Sequence, residues 1–583
     1  MFARKYYHYV MLFLIVILYV LLKAQSFLPT TTDENIYFYM AHLMGEGILP
    51  YRDFFFSHPI VHVLIPAILF KIFGFSIFLS KMIPATATLI SGILIYFIGK
   101  IIKGRLCGLL SILLFLFAME VLKASSNMTG VNCTTMFMLL SVYLFIREKY
   151  LLSGVVMAVA AHTGLYIVAA AMVLMVITLF LRESSFKYLL SFLVLFISIF
   201  LICFFMGSWN YIDGVYIYHF KKVAQNPNTI PYIKGNNTFY AIYSVLHNLY
   251  QFFISRVFLQ SLYYHTQLYW GSVCSIILMI FLFFKNISFR DTFYRDIKNI
   301  LIKNFPLFII TFIAVALLFQ FSMFKELYHF YFIIILGVLS LMSGWFMAWT
   351  IEEVAGLLKE LNELDLKKTV STVIAVLLFL VYMPVSNLSY EAFTSEQINH
   401  DKRLEYKWTE PPYLKGPSVI VKFLFWKDHR IMGKPEPVIR HYLWNKKLYF
   451  SQLKEVSEYI KNNSKKDEKI IGASTVVPLI ALFSQRGIAG NEIDTNFKRF
   501  KTGVLDYNYF IQDVCSEKLK FIVAAARSFF HYRKIKNMKV LGNCFERDRV
   551  FLDYSNRHFR PYRIVLFKNN GRCCYKNDNE YSR

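Results

Sequence analysis

The sequence predicts an α-helical polytopic membrane protein that ends in a small α/β domain. Three observations predict it. Apolar runs of 17 to 25 residues recur through the first two thirds of the 583 residues, the length that crosses about 30 Å of hydrocarbon as a helix. Only 17% of residues are charged against 56% apolar, with a mean hydropathy of +0.45, whereas a soluble domain carries roughly 25% charge. After residue 450 the pattern changes to amphipathic helix alternating with short strand, which argues a compact α/β layer.

Hydropathy places eleven spans, at residues 8–24, 78–100, 106–122, 131–146, 150–163, 165–181, 187–207, 264–284, 305–321, 329–350 and 369–388. The first, "YYHYVMLFLIVILYVLLKA", is too long for a signal-peptide core and lacks a small-residue cleavage site, so it reads as a retained span. The fifth and sixth are short and meet at "AHTGLY", where one long broken helix is the alternative. The basic loops "KIIKGR", "REK", "RESSFK" and "KNISFRDTFYRDIKNILIK" fall on one side, which orients the N-terminus toward the cytoplasm. The acidic loop "EEVAGLLKELNELDLKK" disagrees weakly, and acids count for little in that rule. An odd number of spans then leaves the opening loop, the long loop 208–263 and everything after about residue 390 on the outer side.

The formal charge of +26 is read as orientation of the spans, which sets a nucleic-acid partner aside. Its share in the C-terminal third suits anionic headgroups or a phosphorylated substrate. Eight cysteines without CxxC spacing imply neither a zinc nor a disulfide framework. The organisation expected is a membrane domain over 1–390 with an external loop at 25–77, a Pro- and Trp-rich linker over 391–450, and an extracytoplasmic α/β domain over 451–583. In that domain "SQLKEVSEYIKNN" and "PLIALFSQ" predict helices, while "KIIGAS", "KFIVAAA", "VLGNCFERDRVFLDYS" and "YRIVLFK" predict strands.

The chemistry gathers in "TTDENIYFYMAHLMGEGILPYRDFFFSHPIVHVL", residues 31–64. Asp33 and Glu34 stand just past the first span. One reading makes them first-turn acids of a helix capped by Thr31 or Thr32. The other makes them active-site carboxylates, since they share the outer side with the tail. "DENIYFYMAHLMGEG" continues as a helix with Tyr37, Met40, Ala41 and Met44 on one stripe, suited to the membrane interface. A Pro turn then brings back Arg52, Asp53, His58 and His62. The two histidines are four apart on a helix opened by Pro59, a spacing that could hold a metal or simply bond to backbone. His58 also precedes a helix N-terminus, which favours anions.

The order apolar span, D-E-x-x-Y, amphipathic helix, G-x-L-P-Y-x-D-F, H-P, apolar helix, F-G resembles the opening of the membrane-embedded GT-C glycosyltransferases. More narrowly it is similar to the branch holding the protein mannosyltransferases and lipid A aminoarabinose transferases. The resemblance covers residues 8–105, and span order extends it to about 390. It implies a GT-C-like bundle of about 11 transmembrane helices with a small extracytoplasmic α/β domain. It also implies transfer of a sugar from a polyprenyl-phosphate carrier to an acceptor on the outer face of the cell membrane. Asp33 would be the catalytic carboxylate and Glu34 its neighbour. His58 stands where relatives often have Lys before Pro, near the carrier phosphate. Asn132, in "MTGVNCTT", stands near the place of a second acid in many relatives. An amide can bond a sugar or a metal but cannot act as a base, so Asp33 is left as the single base.

Further candidates lie at other span ends. Tyr218, His219, Lys221 and Lys222 read as a snorkelling basic edge or as a phosphate clamp. Lys325, Glu326, Tyr328 and His329 read as an aromatic belt or as substrate contacts. Glu120 and Lys123 are spaced to pair with each other, and His162 reads as a turn histidine. The expected donor-phosphate set is therefore Arg52, His58, His219, Lys221 and Lys222, and the substrate set Tyr37, Asp53, Asn132, Lys325 and Tyr328. His58 and His62 would serve a divalent ion (Mg, Mn or Zn) if one takes part. The expected reaction is an inverting single displacement with Asp33 as base, its pKa raised by half-burial. The partners are a polyprenyl-phosphate-linked sugar and a lipid, protein or glycan acceptor. The rivals are a lipid-linked glycan transporter or flippase, which would place ionisable groups at mid-membrane, a glycan polymerase or ligase, and a receptor whose tail binds a partner.

Overall fold

The computed structural model describes residues 2–24, 27, 33–180, 185–219, 221, 238–285, 304–324, 327–359, 452–516, 518–525, 528–531, 533, 535, 541–552 and 563–571. The chain begins with α1 (Phe2–Ala24), α2 (Glu34–Gly45), α3 (Val61–Phe73), α4 (Ile77–Lys103) and α5 (Arg105–Leu116). Helices Val131–Ile146, Tyr150–Ala161, Val168–Phe180, Phe186–Gly207, Thr266–Lys285, Phe305–Ser322 and Phe332–Lys359 follow. Among the described residues, five helices are long and apolar enough to cross a membrane, α4 and four of the later ones. Six shorter apolar helices accompany them. The chain is a multi-pass membrane protein.

Two expectations about the spans change, and the two-helix reading of the fifth and sixth stands. The third expected span breaks at Ala118, whose backbone is extended, into α5 and the short helix Met119–Ala124; the apolar run ends there because Glu120 needs a polar partner. The fifth and sixth are two helices separated by a turn at His162–Gly164. The long loop 208–263 carries helices Thr238–Phe253 and Arg256–Tyr264. The eleventh expected span and the linker 391–450 lie outside the described residues.

The chain forms two compact units, one of Met1–Ser26, Pro84–Ser198 and Thr229–Glu436, the other of Phe27–Ile83, Ile199–Asn228 and Pro437–Arg583. In the first unit, Phe115, Met138, Leu139, Val142 and Phe332 share one buried core. Lipid-facing helices gain little from burying apolar surface against each other, so small residues and short hydrogen bonds hold them together. Gly108 rests against the Tyr96 carbonyl, where a Cβ would stand 2.5 Å from the oxygen. Ser141 and Ser153 each donate to the other's carbonyl at 2.8 Å. Ser275 donates to the Met342 carbonyl at 2.6 Å and Ser343 to the Leu268 carbonyl at 2.8 Å.

The second unit joins the opening loop to the tail. The tail's sheet has strands β1 (Lys469–Gly472), β2 (Leu519–Ala525), β3 (Phe545–Leu552) and β4 (Arg563–Asn569) in the order β1-β2-β4-β3. β1 runs parallel to β2, with Ile471 opposite Ile522, and the other pairs are antiparallel. A register shift between Arg547 and Arg549 bulges β3. β2 is buried almost throughout, as befits a strand covered on both faces. Phe510, Ile511 and Val514 of helix Tyr507–Ser516 pack with Ile522 and Ala524, while Tyr459 of helix 452–462 meets Phe521 and Phe551. The expected tail helices and strands are present, except that Leu541–Cys544, expected within a strand, forms a helical turn ahead of β3. Helices Phe497–Lys501 and Tyr507–Ser516 are additional.

α2 departs from the one-sided interfacial helix that its stripe predicts. Glu34, Asn35, Ile36, Phe38, Tyr39, Met40, Ala41 and Leu43 are all buried, because α3 and the tail helix Val477–Ser484 both pack on it. Asn35 donates to the Thr475 carbonyl at 2.6 Å, and the Ile488 amide donates to the Tyr39 hydroxyl at 3.2 Å.

Candidate functional site

Asp33 precedes α2 with helical backbone angles and makes no side-chain capping bond. Its carbonyl accepts from the amides of Ile36 and Tyr37, so Asp33 and Tyr37 lie one turn apart on the same face. Its side chain is exposed rather than half-buried. Glu34, one residue on, turns into the core. It is fully buried, and Lys81 of α4 lies 2.6 Å from both its carboxylate oxygens. The pair that the sequence presents as two neighbouring acids is thus divided between solvent and core. Lys81 escaped the sequence reading. Its signal was a lone cation inside the apolar run "IFLSKMIP", where a charge requires a buried partner.

Tyr37 leads to the histidines. Its hydroxyl and His58 Nε2 are in hydrogen-bond contact at 2.9 Å. The His58 and His62 rings stack 5.0 Å apart at 20°. They do not share a helix as the spacing predicts: α3 starts at Val61 with Ile60 as its N-cap, so His58 sits in the turn ahead of Pro59. The fixed φ of Pro59 and its missing amide suit a position just before the first helical turn. His62 is buried, and neither of its ring nitrogens meets a hydrogen-bonding group. Burial holds its pKa down, to about 3, so the ring is neutral.

Among the described residues, no cluster of three or more His, Cys, Asp or Glu side chains is arranged for a metal.

The turn before His58 is tied from several sides. His219 Nε2 donates to the Ser57 carbonyl at 2.7 Å, and the Tyr51 hydroxyl donates to the His58 carbonyl at 2.7 Å. Asp53 accepts from the Leu49 amide at 2.8 Å and from Arg52 at 2.8 and 2.9 Å. The Arg52 hydrogen bond, assisted by that amide, holds Asp53 below the usual carboxylate range. Arg52 itself is exposed. From the tail, Asn491 donates to the Asp53 carbonyl at 3.3 Å, and the Arg499 guanidinium lies 4.1 Å above the Phe55 ring. Arg499 also pairs with Glu492 at 2.5 Å, whose pKa burial raises against the opposing pull of that cation.

The structure therefore brings together Tyr37, His58, His62 and His219, with Arg52 and Asp53 on the same loop. Lys221 is exposed, and Tyr218 is buried with its ring 5.4 Å from that of Phe55. Lys222 and Lys325 lie outside the described residues. In the other unit, Asn132 is buried, with its amide donating to the carbonyls of Ala124 and Asn127 and accepting from Thr88. It holds the turn between two helices. Glu120 pairs with the buried His265, a residue the sequence reading did not weigh, and the Lys123 side chain lies outside the described residues. Tyr328 is exposed and stacks on Phe330, in line with an aromatic belt.

Compared with solved structures, the chain is similar to ArnT from Cupriavidus metallidurans bound to undecaprenyl phosphate, with a TM-score of 0.51 and 12% identity over 96% of this chain and 98% of that one. The apo state of the same ArnT aligns at a TM-score of 0.49 and 12% identity over 95% and 97%. The apo oligosaccharyltransferase of Archaeoglobus fulgidus aligns at 0.46 and 11% over 89% and 70%. No family model matches the chain, and no curated protein matches it. The likeness to the first structure is one of fold and runs almost end to end, so the fold is that of the GT-C membrane proteins.

Proposed function

We propose that the chain is an integral-membrane glycosyltransferase that moves a sugar from a polyprenyl-phosphate donor to an acceptor on the extracytoplasmic face. The observation that carries this reading is the division of the acidic pair: Glu34 is sequestered on Lys81, and Asp33 remains exposed one helical turn from the Tyr37–His58 contact. The likeness in fold to a protein whose structure holds undecaprenyl phosphate supports the class of donor.

In this mechanism Asp33 takes the proton of an acceptor hydroxyl as that oxygen attacks the anomeric carbon. The bond from that carbon to the carrier phosphate breaks, and the anomeric centre inverts. The phosphate leaves with the electron pair and needs no acid, only cations and donors to hold it. His58 and Arg52 serve that role, with Lys221 and Lys222 following His219. Tyr37 keeps the His58 ring oriented.

Transfer from a polyprenyl-phosphate sugar by the purified protein in proteoliposomes tests the assignment. Asp33→Asn is expected to lower turnover at least roughly a hundredfold, the lower end of what a positioned base contributes. A folded Asp33→Asn protein with wild-type turnover overturns it. The transporter reading draws on the buried Glu120–His265 pair, since ionisable groups inside a membrane bundle often mark pathways. Uptake of a labelled lipid-linked sugar without transfer would select it.

A further inference from the structure

We infer that Tyr51 is a positioning residue that acts through His58, an inference resting on the proposed role of His58 at the donor phosphate. The segment Ile199–His219 is the platform it uses. Tyr51 holds a backbone φ of +67°, a left-handed conformation that a bulky side chain adopts only where its surroundings compensate. The compensation is visible. The Tyr51 ring packs on Tyr211 at 4.9 Å, its amide donates to the Phe54 carbonyl at 2.9 Å, and its hydroxyl donates to the His58 carbonyl at 2.7 Å. The side chain thus spans a tight turn and fastens the far end of it.

Two glycines of the platform make the approach possible. Gly207 sits against the Tyr51 Cβ, so a methyl there would overlap it. A Cβ on Gly214, inside the π-helical turn Asp213–Ile217, would stand 2.6 Å from the Phe56 carbonyl oxygen. Such π-turns are frequent at functional sites. Two residues beyond that turn, His219 donates to the Ser57 carbonyl. The carbonyls of residues 56, 57 and 58 are each met by a different group of this design: Gly214 by close approach, His219 and Tyr51 by hydrogen bonds. With the ring of His58 held on Tyr37 at its other end, both backbone and imidazole are fixed before a ligand arrives, which is the condition for an accurate site.

The test separates positioning from folding and from the proposed activity. Tyr51→Phe keeps the ring packing and deletes one hydroxyl. Amide hydrogen exchange of the peptide around residues 55–60, measured on the full-length protein in nanodiscs, is expected to speed up roughly three- to tenfold, the factor one hydrogen bond is worth. Thermal stability should stay within a few degrees. Gly214→Ala should act in the same direction. Transfer assays should show a raised KM for the lipid-linked donor with kcat little changed, and Tyr51→Phe should add nothing in a His58→Ala background. Unchanged exchange at that turn overturns the positioning role whatever the activity. Faster exchange in a protein that transfers no sugar from any polyprenyl phosphate leaves the positioning intact and refutes the functional reading instead. Additive effects of Tyr51→Phe and His58→Ala on KM would refute action through His58.

Discussion

At the scale of single residues, the most consequential contact is that between Lys81 and Glu34. Taking both charges out of water costs several kcal/mol each, and attraction at short range offsets this only while both partners are present. Lys81→Ala is therefore expected to cost about 3–5 kcal/mol, measured as a fall in the unfolding temperature in detergent. Lys81→Met combined with Glu34→Leu should recover most of that loss. The pair also separates the two neighbouring acids, one buried on Lys81 and the other exposed. A helix sends consecutive side chains about 100° apart, so with Glu34 turned to the core, Asp33 faces out on the stripe of Tyr37. His62 follows a similar logic: a buried imidazole without partners stays neutral, and it serves His58 as a stacking surface rather than as a charge.

At the scale of elements, helices meet where side chains are smallest. Gly108 of α5 touches the backbone of α4 at the Tyr96 carbonyl, a contact with no flexible atom to give way. Gly108→Ala is expected to destabilise by about 1–3 kcal/mol, as overpacking does, with lower yield of folded protein on size-exclusion chromatography. The end of α3 shows another element-scale device. Gly74 takes a φ of +76°, turning the chain out of α3 toward α4, so that Lys81 reaches Glu34 from the first turns of α4. Without that reversal the acid would have no counter-charge.

At the scale of the molecule, the tail is part of the unit that contains the opening loop. Asn35, Tyr39, Asp53 and Phe55 each meet a tail residue through a hydrogen bond or a cation–π contact. The tail is a frame for α2 and the turn that follows. Deleting residues 451–583 is expected to make the loop between residues 33 and 62 sensitive to limited proteolysis and to abolish transfer, while the apolar helices remain membrane-inserted. A truncated protein whose loop resists protease as the full chain does would contradict this role.

Much of this molecule follows from local pattern. Long apolar runs specify helices because hydrocarbon tolerates no unpaired backbone, and period-two and period-3.6 patterns specify the tail's strands and helices because each must bury one face. The acidic pair, the histidines of the opening loop and the likeness in fold were legible for the same reason: they are contiguous in the chain. What only the tertiary structure decided are matters of partners far apart in sequence. Lys81 lies 47 residues from the acid it neutralises, and Thr475 lies 440 residues from Asn35. No periodicity encodes which acid is buried, where His58 leaves the helix, or which glycine a tyrosine rests on. Those outcomes depend on the free energy of bringing distant segments together, and packing alone selects among them.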